Sequence, residues 1–213
     1  MILMMMVDMH RIRRNTFIIG AVIQTFFLIY AMLFKPQFVM DNIFCLVAIG
    51  LFYILEQRYP LNPVVIFFGF IPLYFHNIGV LFGLFGMMWL GLGYDKWTHF
   101  LNSMLVTIVI FYMLISHSKE RILKHVALAF MVMLGFNLLH EVNEFVGTRY
   151  LGIYSESLFS VGDGLVPSGS DLQVYDAWWD MIFDIFGGLF AVIILLTIRG
   201  LEKRHGRDYM KNC

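Results

Sequence analysis

Three groups of residues in the second half of the chain have the types and spacing for carboxylate and imidazole chemistry. Asp95, His99 and Asn102 follow an i, i+4, i+7 pattern, which confines them to about 60° of arc on a helix. Asn137, His140, Glu141 and Glu144 would occupy about 100° of a second helix, and Asp176, Asp180, Asp184 and Gly187 about 80° of a third. Such stripes serve three kinds of chemistry: metal ligation, proton transfer, or hydrogen bonds that lock helices together. Carboxylates at i, i+4, as in Asp180 and Asp184, repel when both are ionised. Either a cation bridges them or one takes up a proton. A hard divalent cation would accept the Asp and Glu oxygens, whereas zinc would add His99 or His140.

The elements that must position these stripes follow from composition. Of 213 residues, 60% are hydrophobic and only 14% are charged, and the mean hydropathy is +0.76. This excludes disorder and an ordinary water-soluble domain. The two cysteines, Cys45 and Cys213, lie too far apart in the chain to frame a disulfide scaffold. Roughly 20 mostly apolar residues cross a bilayer, and runs of that kind occupy 16–34, 41–55, 64–93, 98–116, 123–146 and 179–198. The expected fold is therefore all-α: a polytopic membrane helical bundle of six spans, forming a single integral membrane domain over 1–213. The first run follows Arg11, Arg13 and Arg14 but lacks a small-residue cleavage site, which makes it an uncleaved anchor.

The third run is too long for one straight span. Pro72, His76, Asn77 and Gly79 near its middle predict a kink or break, with His76 a hydrogen-bonded residue at that break. Gly79, Gly83 and Gly86, and later Gly187 and Gly188, predict close helix packing. Trp89, Trp97, Trp178 and Trp179 fit an aromatic belt. Residues 147–178 read as a long external loop.

Six spans sort the charges. With the N-terminus inside, twelve of the fifteen Lys and Arg residues fall on the inner side, and reversing the topology would reverse that count. Cationic segments resist translocation, so both termini are expected in the cytoplasm of a multi-pass protein of the cell (inner) membrane. Ten of the fifteen acids fall outside or in the outer halves of spans. The formal net charge is zero, so no basic excess points to nucleic acid. The three stripes then face one another in a polar cavity open to the outside, because ionised carboxylates are costly in lipid. Lys96 is the only basic residue beside them, with Arg149 a second candidate. Protons, a divalent cation or a cationic ligand would each neutralise the surplus acid.

The segment Asp95-Lys96-Trp97-Thr98-His99-Phe100 resembles the D-K-x-x-H-F signature of VanZ-like membrane proteins. Glu141 or Glu144 would supply their acid on the following helix. Asp180-x-x-x-Asp184-x-x-Gly187 resembles their D-x-x-x-N-x-x-G, with Asp184 in place of the Asn. His140-Glu141-x-x-Glu144-Phe145, together with Tyr175-Asp176-x-x-x-Asp180, is closer to the YjdF-type predicted inner-membrane proteins. The resemblance spans about residues 94–190 and implies a polytopic membrane protein.

The expected function is that of a membrane-embedded, metal-dependent hydrolase or transferase acting on a lipid or lipid-linked envelope substrate. The candidate catalytic residues are His99, Asp95, Glu141, Glu144 and Asp180, and the candidate metal ligands are His99, Glu141, Asp180 and Asp184. A divalent metal ion is the candidate cofactor, and membrane lipids are the expected partners. The alternative is a non-catalytic protein of cation or small-molecule binding, transport or resistance. A transporter predicts polar residues continuing to the inner side, whereas the inner halves of the last three spans are essentially apolar. The chain carries no phosphate-binding P-loop, nucleophile elbow or dinucleotide fingerprint.

Overall fold

The computed structural model describes residues 2–116, 121–146 and 172–205. Within them lie α1 (Ile2–Phe34), α2 (Val39–Arg58), α3 (Pro63–Phe82), a small hairpin of β1 (Met88–Trp89) and β2 (Leu92–Gly93), α4 (Tyr94–Ile115), α5 (Ile122–Val146) and α6 (Leu172–His205). Among the described residues, six helices are long and apolar enough to cross a membrane. Their outer faces expose large apolar side chains, such as Phe26 at 63% and Leu33 at 68%. Faces of that size would aggregate in water and suit lipid.

The third apolar run divides differently from the expectation. Pro63 opens α3 where its missing N–H costs nothing, and the Asn62 side chain accepts from Val64 N at 2.9 Å. The helix then continues through Pro72 without interruption. The break comes at Gly83, whose φ of +69° is the left-handed C-cap that glycine adopts most readily. Gly83 therefore serves the turn and has nothing among the described residues packed against it, whereas a Cβ on Gly79 would run into Phe85 and Tyr94. The surroundings of Gly86 lie outside the described residues. The remainder of the run is a 3-10 turn and the hairpin, paired Met88↔Gly93 and Trp89↔Leu92. Its two turn residues, Leu90 and Gly91, both have positive φ, as a tight hairpin turn requires. Leu90 is held there 92% exposed. Residues 172–178, expected as loop, form the first turns of α6. The rest of the expected loop, 147–171, lies outside the described residues.

α4 is the central helix, packed against α3, α5 and most extensively α6. Glycine sets that last contact. A Cβ on Gly187 would collide with the carbonyl of Phe100 on α4, and one on Gly188 would meet Met133 and Phe130 on α5. Gly187→Val should therefore cost about 1–3 kcal/mol by overpacking. Thermal unfolding in lipid nanodiscs reads the loss, and an unchanged transition would show that the helices can part freely. In the other half, Phe70 is fully buried and meets Phe17 edge-on at 5.3 Å, under Gly20, which leaves room for its ring. At the opposite end of the bundle from the stripes, Arg13 pairs with buried Glu56 at 3.2 Å and joins α1 to α2.

Candidate functional site

The helix repeat brings the stripes together as their spacing requires. Asp95 and His99 lie one turn apart on α4, Asn137 and Glu141 one turn apart on α5, and Asp180 and Asp184 one turn apart on α6. The close α4–α6 contact at Gly187 then places Asp184 against His99. Asp95, Glu141, Asp180 and Asp184 are buried, and His99 is nearly so.

His99 is the hub, and its two nitrogens face different groups. Nε2 lies 3.6 Å from Asp95 Oδ1 and 3.7 Å from Asp180 Oδ1. Nδ1 lies 3.2 Å from Asp184 Oδ1 and 3.7 Å from Glu141 Oε1. Two groups of potential ligands therefore share one imidazole: Asp95, His99 and Asp180, and His99, Glu141 and Asp184. In each, the donor atoms lie within 4.8 Å of one another.

The two groups differ in charge. Lys96 folds back so that Nζ donates to Asp180 Oδ1 at 2.6 Å and to Asp95 Oδ2 at 3.0 Å. Its ammonium is a built-in counter-ion for the first group. Ser103 Oγ donates to Asp184 Oδ1 at 2.6 Å and accepts from Asn137 Nδ2 at 2.5 Å, which fixes the carboxylate. Asp184 Oδ2 is buried and has no hydrogen-bond partner among the described residues. An acceptor in that state is expensive unless a proton or a cation meets it.

These side chains open on a cavity of about 110 Å³ lined by His76, Thr98, His99, Asn102, His140 and Asp184, among others. His140 faces His99 across it, with ring centroids 6.3 Å apart. Of the residues predicted from sequence, Asp95, His99, Glu141, Asp180 and Asp184 meet here. The side chains of Glu144 and Asp176 lie outside the described residues. Spacing did not single out Ser103, although it continues the Asp95–His99 stripe by one more turn, nor did it assign Lys96 the role of bridging two acids. His76 stands within an unbroken helix on the cavity wall, not at a helix break.

Fold and site together define a polytopic α-helical membrane protein with a buried carboxylate–histidine–lysine centre at one end of its bundle. The chain belongs to the family described as predicted membrane protein DUF2238, whose family model matches residues 14–200. No curated protein and no solved structure matches it.

Proposed function

We propose that the protein is a metal-dependent hydrolase or transferase of the cell membrane, acting at the outer leaflet on a lipid or lipid-linked substrate. The observation that carries this reading is the His99, Glu141 and Asp184 group. Ligand atoms about 2.0–2.2 Å from one tetrahedral ion lie about 3.3–3.6 Å apart. The separations of His99 Nδ1 from the two carboxylates, 3.2 and 3.7 Å, bracket that range. The tautomer fits as well. With its proton on Nε2, His99 points N–H toward Asp95 and Asp180 and leaves the Nδ1 lone pair facing the ligand group. Carboxylates behind a ligating histidine orient it and raise its basicity. Lys96 compensates those two supporting acids.

When bound, a divalent ion would supply Lewis acidity and an activated water. The protein's own residues would do the rest. His140, on the opposite wall, is positioned to exchange a proton with a group in the cavity, and Glu144 remains a second acid/base candidate. Thr98 lines both this cavity and a neighbouring apolar groove of about 230 Å³, whose walls include Phe75, Trp89, Leu90, Trp97 and Leu101. A polar head group in the cavity and an apolar tail in the groove would suit that junction. The VanZ-like and YjdF-like motifs around residues 95–100, 140–145 and 175–187 are compatible with this placement, as is the positive-inside sorting that turns the site outward.

Protein purified with native lipids should carry about one equivalent of divalent metal per chain under this reading. His99→Ala should abolish binding, while Asp180→Asn, which touches only the supporting shell, should weaken it about 10–100-fold. Metal content near zero in all three proteins removes the metal-enzyme model. Metal-dependent release of head groups from a membrane lipid extract, absent in His99→Ala, tests catalysis directly.

A further inference from the structure

A constellation of donors lies at the opposite end of the bundle from the carboxylate centre, where α1 passes the end of α2. His10, Arg13 and Arg14 follow an i, i+3, i+4 pattern and so share one face of α1. With Tyr53 and Gln57 of α2 they line a pocket of about 80 Å³, several times the space that one water needs. The pocket also holds one acid, the buried Glu56, so its charges stand at two guanidinium groups against one carboxylate.

Glu56 does not occupy all of those donors. Its Oε1 accepts from Arg13 Nη1 at 3.2 Å and from Leu61 N at 3.4 Å, and its Oε2 accepts from Gln57 Nε2 at 3.1 Å. Arg13 therefore meets Glu56 through a single nitrogen, not through the two-pronged fork that a guanidinium can offer a carboxylate. Its Nε is buried with no hydrogen-bond partner among the described residues, a state in which donors are seldom left. The Arg13 side chain keeps 21% of its surface open, which leaves the guanidinium within reach from the pocket. Arg14 and His10, both exposed, stand beside it with N–H groups of their own.

We infer that His10, Arg13 and Arg14 form a binding site for a phosphate group, with the hydroxyl of Tyr53 as a further donor from α2. A phosphate presents several acceptor oxygens and a negative charge, and a guanidinium fork fits two of those oxygens at once. Two sources carry such a group: the head of an anionic phospholipid, and free phosphate. The sorting of Lys and Arg that turns the carboxylate centre outward turns this end to the cytoplasm, where the leaflet is rich in anionic lipid. The site belongs to α1 and α2, so it stands whether or not the carboxylate centre binds a metal.

The test compares the full chain with Arg14→Gln and Arg11→Gln. Arg11 carries the same charge on the same stretch of α1 but does not line the pocket. Native mass spectrometry counts the lipids that each protein retains from detergent containing equal amounts of phosphatidylcholine and phosphatidylglycerol. Inorganic phosphate added to lipid-stripped protein is counted in the same way. The expected result is one phosphatidylglycerol per chain, held about tenfold more weakly in Arg14→Gln, the loss of one charged hydrogen bond, and little changed in Arg11→Gln. The same pattern with inorganic phosphate, and no preference between the two lipids, assigns the site to free phosphate. If Arg14→Gln does not fold, His10→Ala takes its place. Binding that falls equally in the Arg11 and Arg14 variants marks a diffuse basic surface and overturns the inference. Binding unchanged in Arg14→Gln, or neither probe bound by the wild type, overturns it as well.

Discussion

Lys96→Met will cost the metal-free protein about 3–5 kcal/mol of stability, the loss that follows when one partner of a buried ion pair is removed. A divalent cation will restore most of that loss. Lys96 Nζ sits between Asp180 and Asp95 at 2.6 and 3.0 Å, and its side chain is only 11% exposed. Methionine keeps the length of the side chain and removes the ammonium, taking that counter-ion from two buried carboxylates. The same substitution frees the Asp95, His99 and Asp180 group for a metal. An ion present at about 100 times its dissociation constant returns about 2.7 kcal/mol. Unfolding measured with and without divalent cations reads both halves. A deficit of equal size in the two conditions would mean that Lys96 only holds helices together.

Asp184→Asn has the opposite sign. Its carboxylate accepts from Ser103 at 2.6 Å, lies 3.2 Å from His99, and buries a second oxygen that no donor among the described residues meets. Replacing that oxygen with an amide nitrogen removes a charge from among other acids and puts a neutral donor where the bare acceptor stood. The metal-free protein should gain about 1–3 kcal/mol, the usual penalty of such a group. The gain comes with loss of the ligand, so added divalent cation should no longer raise the unfolding transition. A destabilised metal-free variant would refute the view that the bare oxygen of Asp184 burdens the metal-free protein.

The contrast between Lys96 and Asp184 shows what the sequence displays and what it conceals. Carboxylates and histidines one turn apart are legible because an apolar helix leaves few other polar groups to confuse the period. Lys96 is harder. It follows Asp95 directly, and neighbours in sequence diverge by about 100° on a helix, so spacing alone sends it elsewhere. Its long, flexible stem brings the charge back between two helices. Ser103 lay on the stripe, but one hydroxyl in an apolar run carries no weight until a carboxylate is found opposite. The approach of His76 to Asp41, 3.6 Å apart, joins separate helices and has no sequence period at all. The hairpin was hidden for another reason: Met88, Trp89, Leu90 and Leu92 are as apolar as a span, and only the glycines around them mark the turns.

The backbone contact at Gly187 also bears on which ions could fit. Gly187 lies three residues beyond Asp184, and Phe100 directly follows His99, so the contact adjoins the facing pair. Backbone against backbone leaves no side chain to yield, and the gap between α4 and α6 becomes a fixed gauge. An ion held there must match that gauge. Small ions bind oxygen at about 2.0–2.1 Å and calcium at about 2.3–2.6 Å. Discrimination by ionic radius would thus depend on a hydrogen atom standing where any other residue would carry a carbon.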